Sequence, residues 1–113
     1  MQFNTHPNAP IKTGETNNFT LLAGVSQEIV SKSDASRKRI SIVNNSDNGI
    51  QLNFFGTATA ILFTVFLPKR TNANEPAGLY ESPSPQAFIG KIEAVSAVGM
   101  GAGEEVIVTE YKS

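Results

Sequence analysis

Apolar and polar residues alternate in one short stretch after another of this chain, and that period of two is what most narrows its possible folds. In "RISIVN", Ile40 and Ile42 share one side while Arg39, Ser41 and Val43 share the other. "IQLNFF" repeats the device, with Ile50, Leu52 and Phe54 against Gln51, Asn53 and Phe55. "IGKIEAVSAVG" sets Ile92, Ala94, Ser96 and Val98 opposite Glu93, Val95 and Ala97, and "EVIVTEYK" sets Val106 and Val108 opposite Ile107 and Thr109. Successive side chains of a strand point to opposite faces, so each stretch reads as a strand with one face to bury. No stretch carries a convincing helical repeat.

The segments between them fit the same class. "FTLLAG" and "QEIVS" read as two short strands around a turn at Gly24, and "LYES" as a brief strand. "ILFTVFLP" is apolar on both faces, rich in β-branched and aromatic residues and stopped by Pro68, so it reads as a strand buried on both sides. The prolines of "PSPQAF" exclude regular pairing. "NNSDNG" ends in Asn-Gly, the pair best suited to the positive-φ positions of a tight turn, so Ser36 to Gly56 reads as a hairpin. "GMGAGEE" reads as a second, glycine-rich hairpin turn. Seven or eight short strands, spaced about ten residues apart with connections too short for parallel crossovers, predict an all-β antiparallel sandwich or jelly roll. Met1 to Asn18 holds Pro7, Pro10 and Gly14 without periodicity and reads as an extended N-terminal arm, with residues 19–113 as a single domain. A chain of 113 residues is long enough for one core.

Reactive groups are scarce. His6, in the arm, is the one histidine, and there is no cysteine, so serine–histidine catalysis, thiolate chemistry and histidine metal sites have nothing to work with. Glu104 and Glu105 are adjacent in a turn and would diverge if extended, unlike a catalytic pair. "NNSDNG" lacks the acidic spacing and closing glutamate of a calcium loop. "GMGAG" precedes a strand and two carboxylates rather than a helix, which rules against phosphate binding. The expectation is a protein that is no enzyme, with no cofactor and no metal. The opening "MQFNTHPNAP" lacks the blocks of a signal peptide, and "TATAILFTVFLP" falls short of the roughly 20 residues that cross a bilayer. A cytoplasmic origin without membrane contact is expected.

Net charge is −1, so no overall field favours nucleic acid, and none is expected as a partner. The cations are nonetheless clustered: Arg37, Lys38 and Arg39 precede one strand, and Lys69 and Arg70 follow another. Were those strand ends at one rim, five positive charges would form a patch. Apolar residues also sit on both faces of several strands. Val43, Phe55 and Phe66 exceed what one small core holds, so they either cover a second sheet or form a subunit interface; in so small a domain this points to an assembling protein, with Phe55 and Phe66 in self-association.

The stretches "RKRISIVNNSDNGIQLNFFGTATA", "GLYES" and "IGKIEAVSAVGMGAGEEVIVTEY" together resemble small bacteriophage virion structural proteins, the capsid cement or decoration proteins. The resemblance runs from about Ser36 to Tyr111 and leaves the arm and "ILFTVFLPKR" outside it. It implies a β-sandwich or jelly roll, made in the host cytoplasm, that sits on the outer surface of the capsid as a dimer or trimer and clamps neighbouring capsomers. The major capsid protein is then the partner, with Phe3, Ile11, Arg37, Lys38, Arg39, Lys69 and Arg70 as docking candidates. A tail- or fibre-associated module that recognises a host-surface glycan, through residues such as Tyr80 and Asn48, is the alternative.

Overall fold

The computed structural model describes residues 13–32, 37–72, 75, 78–82 and 90–112. Among them are eight strands and no helix: β1 (Thr13–Phe19), β2 (Gln27–Val30), β3 (Arg37–Asn45), β4 (Ile50–Asn53), β5 (Val65–Leu67), β6 (Gly78–Glu81), β7 (Ile92–Val95) and β8 (Glu105–Lys112). Their pairing follows a simple rule. β1 pairs with β8, β2 with β7, β3 with β6 and β4 with β5, all antiparallel, as in one long ribbon doubled back at the β4–β5 loop. Two more antiparallel pairings, β3 with β8 and β4 with β7, roll the ribbon into sheets of order β1-β8-β3-β6 and β2-β7-β4-β5. This is the all-β antiparallel sandwich of jelly-roll type.

The period of two explains the roll. Ile40 and Ile42 of β3 and Val106 and Val108 of β8 form the inner face of the first sheet. Ile50 and Leu52 of β4, Leu67 of β5, Ile92 and Ala94 of β7, and Ile29 and Val30 of β2 meet them from the second. Each large aliphatic side chain buried in this way contributes roughly 1.5–3 kcal/mol.

Three expectations are corrected. Ser36 to Gly56 is not a hairpin, because β3 and β4 lie in different sheets, and the Ser46–Gly49 turn carries the chain across the core. Gly49 is not among the glycines with positive φ. What it supplies is room, since a Cβ there would stand 2.5 Å from the Phe66 ring. The turn is shaped by side chains. Buried Asn44 donates through Nδ2 to the carbonyls of Asn48 (2.8 Å), Pro68 (3.0 Å) and Leu67 (3.2 Å), and the Ser46 hydroxyl donates to Asn44 Oδ1 at 2.7 Å. "GMGAGEE" likewise bridges the two sheets, from β7 to β8, rather than closing a hairpin.

"ILFTVFLP" is the second correction. Only Val65–Leu67 is strand, and Ile61, Leu62, Phe63 and Phe66 are exposed rather than buried on two sides. The third concerns "FTLLAG", where Phe19 ends β1 and Ala23 makes a lone bridge to Ser96. Thr13 to Asn18, without periodicity in the sequence, runs in β1 along the edge of the first sheet against β8.

The edge between β5 and β6 is drawn tight at Gly78. A Cβ at this buried position would lie 2.6 Å from the Pro68 carbonyl oxygen and 2.9 Å from Leu67 Cβ. Gly78→Ala should therefore force backbone apart and destabilise the fold by about 1–3 kcal/mol. Urea unfolding of the variant against the parent checks this, with a lower midpoint expected.

Candidate interaction surface

The five clustered cations do not share a rim. Arg37 begins β3, whereas Arg70 packs against its last residue, Asn45. Eight strand steps, about 26 Å, separate these ends. Arg37 is also not on the surface at all, being only 3% exposed. The β3–β8 register slips between Arg37 and Arg39, which adds one residue to β3 and reverses the facing of Arg37. Its guanidinium then points inward, donates to Glu110 Oε1 at 2.8 Å and reaches the Ser31 carbonyl at 2.6 Å. Arg37 is thus withdrawn as a docking residue.

Arg70 is spent on the fold as well. It pairs with Asp47 Oδ1 at 3.0 Å and donates to the Gly103 carbonyl at 3.1 Å, which ties the β3–β4 turn to the β7–β8 turn. The hydrogen bond from Arg70 holds the Asp47 carboxyl below its ordinary pKa. Glu104 strengthens the same corner by accepting from the Asp47 amide at 2.9 Å. Glu105 instead accepts from Asn18 Nδ2. Arg39 is exposed, stacks its guanidinium 5.1 Å from the Tyr111 ring centroid and faces Glu81 at 3.4 Å. Lys38 is half-buried and Lys69 exposed. Phe3, Ile11 and His6 lie outside the described residues.

The exposed apolar residues, by contrast, gather on one stretch of chain, the β4–β5 loop and β5. The β4–β5 loop leaves the ribbon at Asn53 and lies against the outer face of the second sheet. Buried Asn53 governs both of its ends: Oδ1 accepts from the Phe55 amide at 2.9 Å and the Thr64 hydroxyl at 3.4 Å, and Nδ2 donates to the Thr57 carbonyl. Midway, the Ala58 amide donates to Ser26 Oγ at 3.0 Å, and Ser26 in turn donates to Glu93 Oε1 at 2.8 Å. At the tip, Thr59 Oγ1 accepts from the amides of Ile61 and Leu62, and the Thr59 amide donates to the Leu62 carbonyl. The loop is held at its base, its middle and its tip.

A loop so fixed presents apolar side chains to water. Ile61 is 92% and Phe55 83% exposed, and Leu62, Phe63 and Phe66 join them. From Phe54 to Leu67 there is no charged residue. Beside the loop, a cavity of about 280 Å³ opens between Ala58, Thr59 and Ala60 and the sheet residues Gln51 and Val95. Phe55 and Phe66 thus lie on the surface, where self-association requires them. Ile61, Leu62 and Phe63 had read as buried strand. The signal was present, because "AILF" lacks the alternation of the true strands and follows "GTAT", a run of small residues suited to a loop.

The glycan candidates sit less openly. Tyr80 is half-buried, edge-to-face with Phe54 at 5.1 Å between centroids, and burial raises its phenol pKa. Asn48 is half-buried, its amide bonded to Ser46 Oγ and its carbonyl accepting from Asn44. Among the described residues, no three histidine or carboxylate side chains gather as metal ligands. No protein-family model matches the chain, and no curated protein is significantly similar to it.

Two outcomes follow from these contacts. Glu110→Ala leaves the Arg37 guanidinium buried without its carboxylate and should destabilise the fold by about 3–5 kcal/mol in chemical denaturation. Glu93 carries the other. Hydrogen bonds from Ser26 and then Lys91 hold its carboxyl below the usual value of 4.5, so its contribution is complete above that pH and is lost as pH falls through the lower, folded value. The protection factor of the Ala58 amide, its exchange rate taken against the unstructured chain at the same pH, should fall over that acid window. Glu93→Ala should lower it at neutral pH, by about the fivefold that one net hydrogen bond of roughly 1 kcal/mol allows.

Proposed function

We propose that this chain is a non-enzymatic virion structural protein, a capsid cement or decoration protein that binds the outside of the major capsid shell and acts as a homo-oligomer. The observation that carries the reading is the uncharged apolar surface of the β4–β5 loop on an otherwise well-packed small sandwich. A folded domain that holds Ile61 and Phe55 rigidly in water is built for contact with other protein surfaces. The family resemblance of the strand and turn stretches supplies the kind of assembly.

The mechanism is linkage. A domain that bridges adjacent capsid subunits binds only the assembled lattice and therefore stabilises it. A specific contact of ordinary size buries about 1,600 Å² in total. Repetition over the shell multiplies weak contacts into avidity. Of the five clustered cations, half-buried Lys38 and exposed Arg39 and Lys69 are left to meet an acidic capsid surface, the first two at one end of β3 and Lys69 near the other. Arg37 and Arg70 have no part in it.

Co-sedimentation with empty phage capsid shells tests the proposal. The protein should pellet with shells, and the double variant Lys38→Glu, Arg39→Glu should pellet less, with a weaker dependence on salt. Absence from the pellet, together with retention on host-surface glycan, would replace this reading with the tail-module alternative.

A further inference from the structure

We infer that the β4–β5 loop and the cavity beside it form a self-complementary surface through which two copies of this chain pair about a twofold axis. The inference rests on the self-association within the proposed function and gives it a geometry. Its first support is the chemistry of the cavity. The walls are small and apolar at Gly24, Ala58, Val95 and Ala97. Of the two polar residues that line it, Gln51 and Thr59, the second already spends its hydroxyl oxygen on the Ile61 and Leu62 amides. Among the described residues no charged or histidine side chain lines it, so a polar metabolite would find no counter-charge there. Its 280 Å³ also falls below the roughly 300–1,000 Å³ of small-molecule sites. What fits is one or two aliphatic side chains.

Such side chains stand on the same loop. Ile61 and Leu62 project immediately after Ala58, Thr59 and Ala60, which line the cavity. A projection and a recess on a single patch are what an isologous contact requires: each copy inserts its own tip into the other's recess, and the pair closes without leaving a free end. The tip turn is already locked by Thr59, so insertion orders little that was free and loses little entropy.

Area and charge agree on a second copy as the occupant. Phe55, Ile61, Leu62, Phe63 and Phe66 expose about 650 Å² between them when each side chain is taken as roughly 200 Å². Two facing copies that cover all five then bury about 1,300 Å², near the lower limit for a specific interface. With no charge from Phe54 to Leu67, two identical patches meet without repulsion, whereas a charged partner would gain nothing there.

Sedimentation equilibrium of the full chain tests this, with circular dichroism to confirm folding. The parent should be a dimer. Ile61→Asp should weaken pairing by at least about 100-fold, the scale of a central hot-spot residue. Leu79→Asp, an exposed leucine in β6 of the other sheet, should pair like the parent. Because the chain has no cysteine, Ile61→Cys and Ala97→Cys proteins can be mixed under oxidising conditions, where a mixed disulfide dimer should form. A parent that is monomeric at about 100 μM, a trimer, an Ile61→Asp protein that still pairs normally, or absence of the mixed dimer overturns the inference. A monomeric parent that still pellets with shells would overturn the pairing alone and leave shell binding standing. A dimer that ignores shells would do the reverse.

Discussion

The Asn44 amide is the contact on which the arrangement of this sandwich turns. It is fully buried at the end of β3 and shares its two hydrogens among the carbonyls of Asn48, Leu67 and Pro68. One side chain thereby holds the crossing from β3 to β4 and the end of β5. An unsatisfied amide at such depth would cost several kcal/mol, so the backbone around it has little freedom to take another course. With β3 and β4 sent to opposite sheets, each finds its partners elsewhere in the ribbon, and the roll follows.

Two further polar groups extend that control outward. Arg70, anchored by its amide on the Ser46 carbonyl, binds Asp47 and Gly103 and so joins the two turns at one end of the sandwich. Inside the opposite end, Arg37 joins β3 to Glu110 of β8 and to the Ser31 carbonyl just after β2. A cation that might have served a ligand serves packing in both cases. The outer face of the second sheet is organised by Asn53 and by the Glu93–Ser26–Ala58 chain, which leave the β4–β5 loop rigid yet apolar at its tip. That combination is what makes the loop a surface for recognition rather than a loose connection.

Much of the fold was legible in the residues. Ile40 and Ile42, Ile50 and Leu52, Ile92 and Ala94, and Val106 and Val108 all face the core as their alternation requires, because a pleated strand has only two sides. The site was legible only in part. Phe55 and Phe66 stood out as more apolar surface than one core holds, and both are exposed, but the run from Ile61 to Phe66 also read as a strand buried on both sides, since hydrophobicity alone does not distinguish a two-sided strand from an exposed apolar loop. Arg37 misled for a different reason: a single extra residue in β3 reverses its facing, and no local signal in "SRKRIS" marks the slip.

Alternation, turn residues and spacing by themselves determined that this chain is an antiparallel β protein and which side chains line its core, because these depend on periods shorter than a strand. Which strands pair, that Asn-Gly carries a crossing and not a hairpin, and which cations remain outside were decided only by tertiary structure. Those outcomes rest on contacts between residues far apart in the chain, such as Asn44 with Pro68 or Arg37 with Glu110, whose geometry no local pattern encodes.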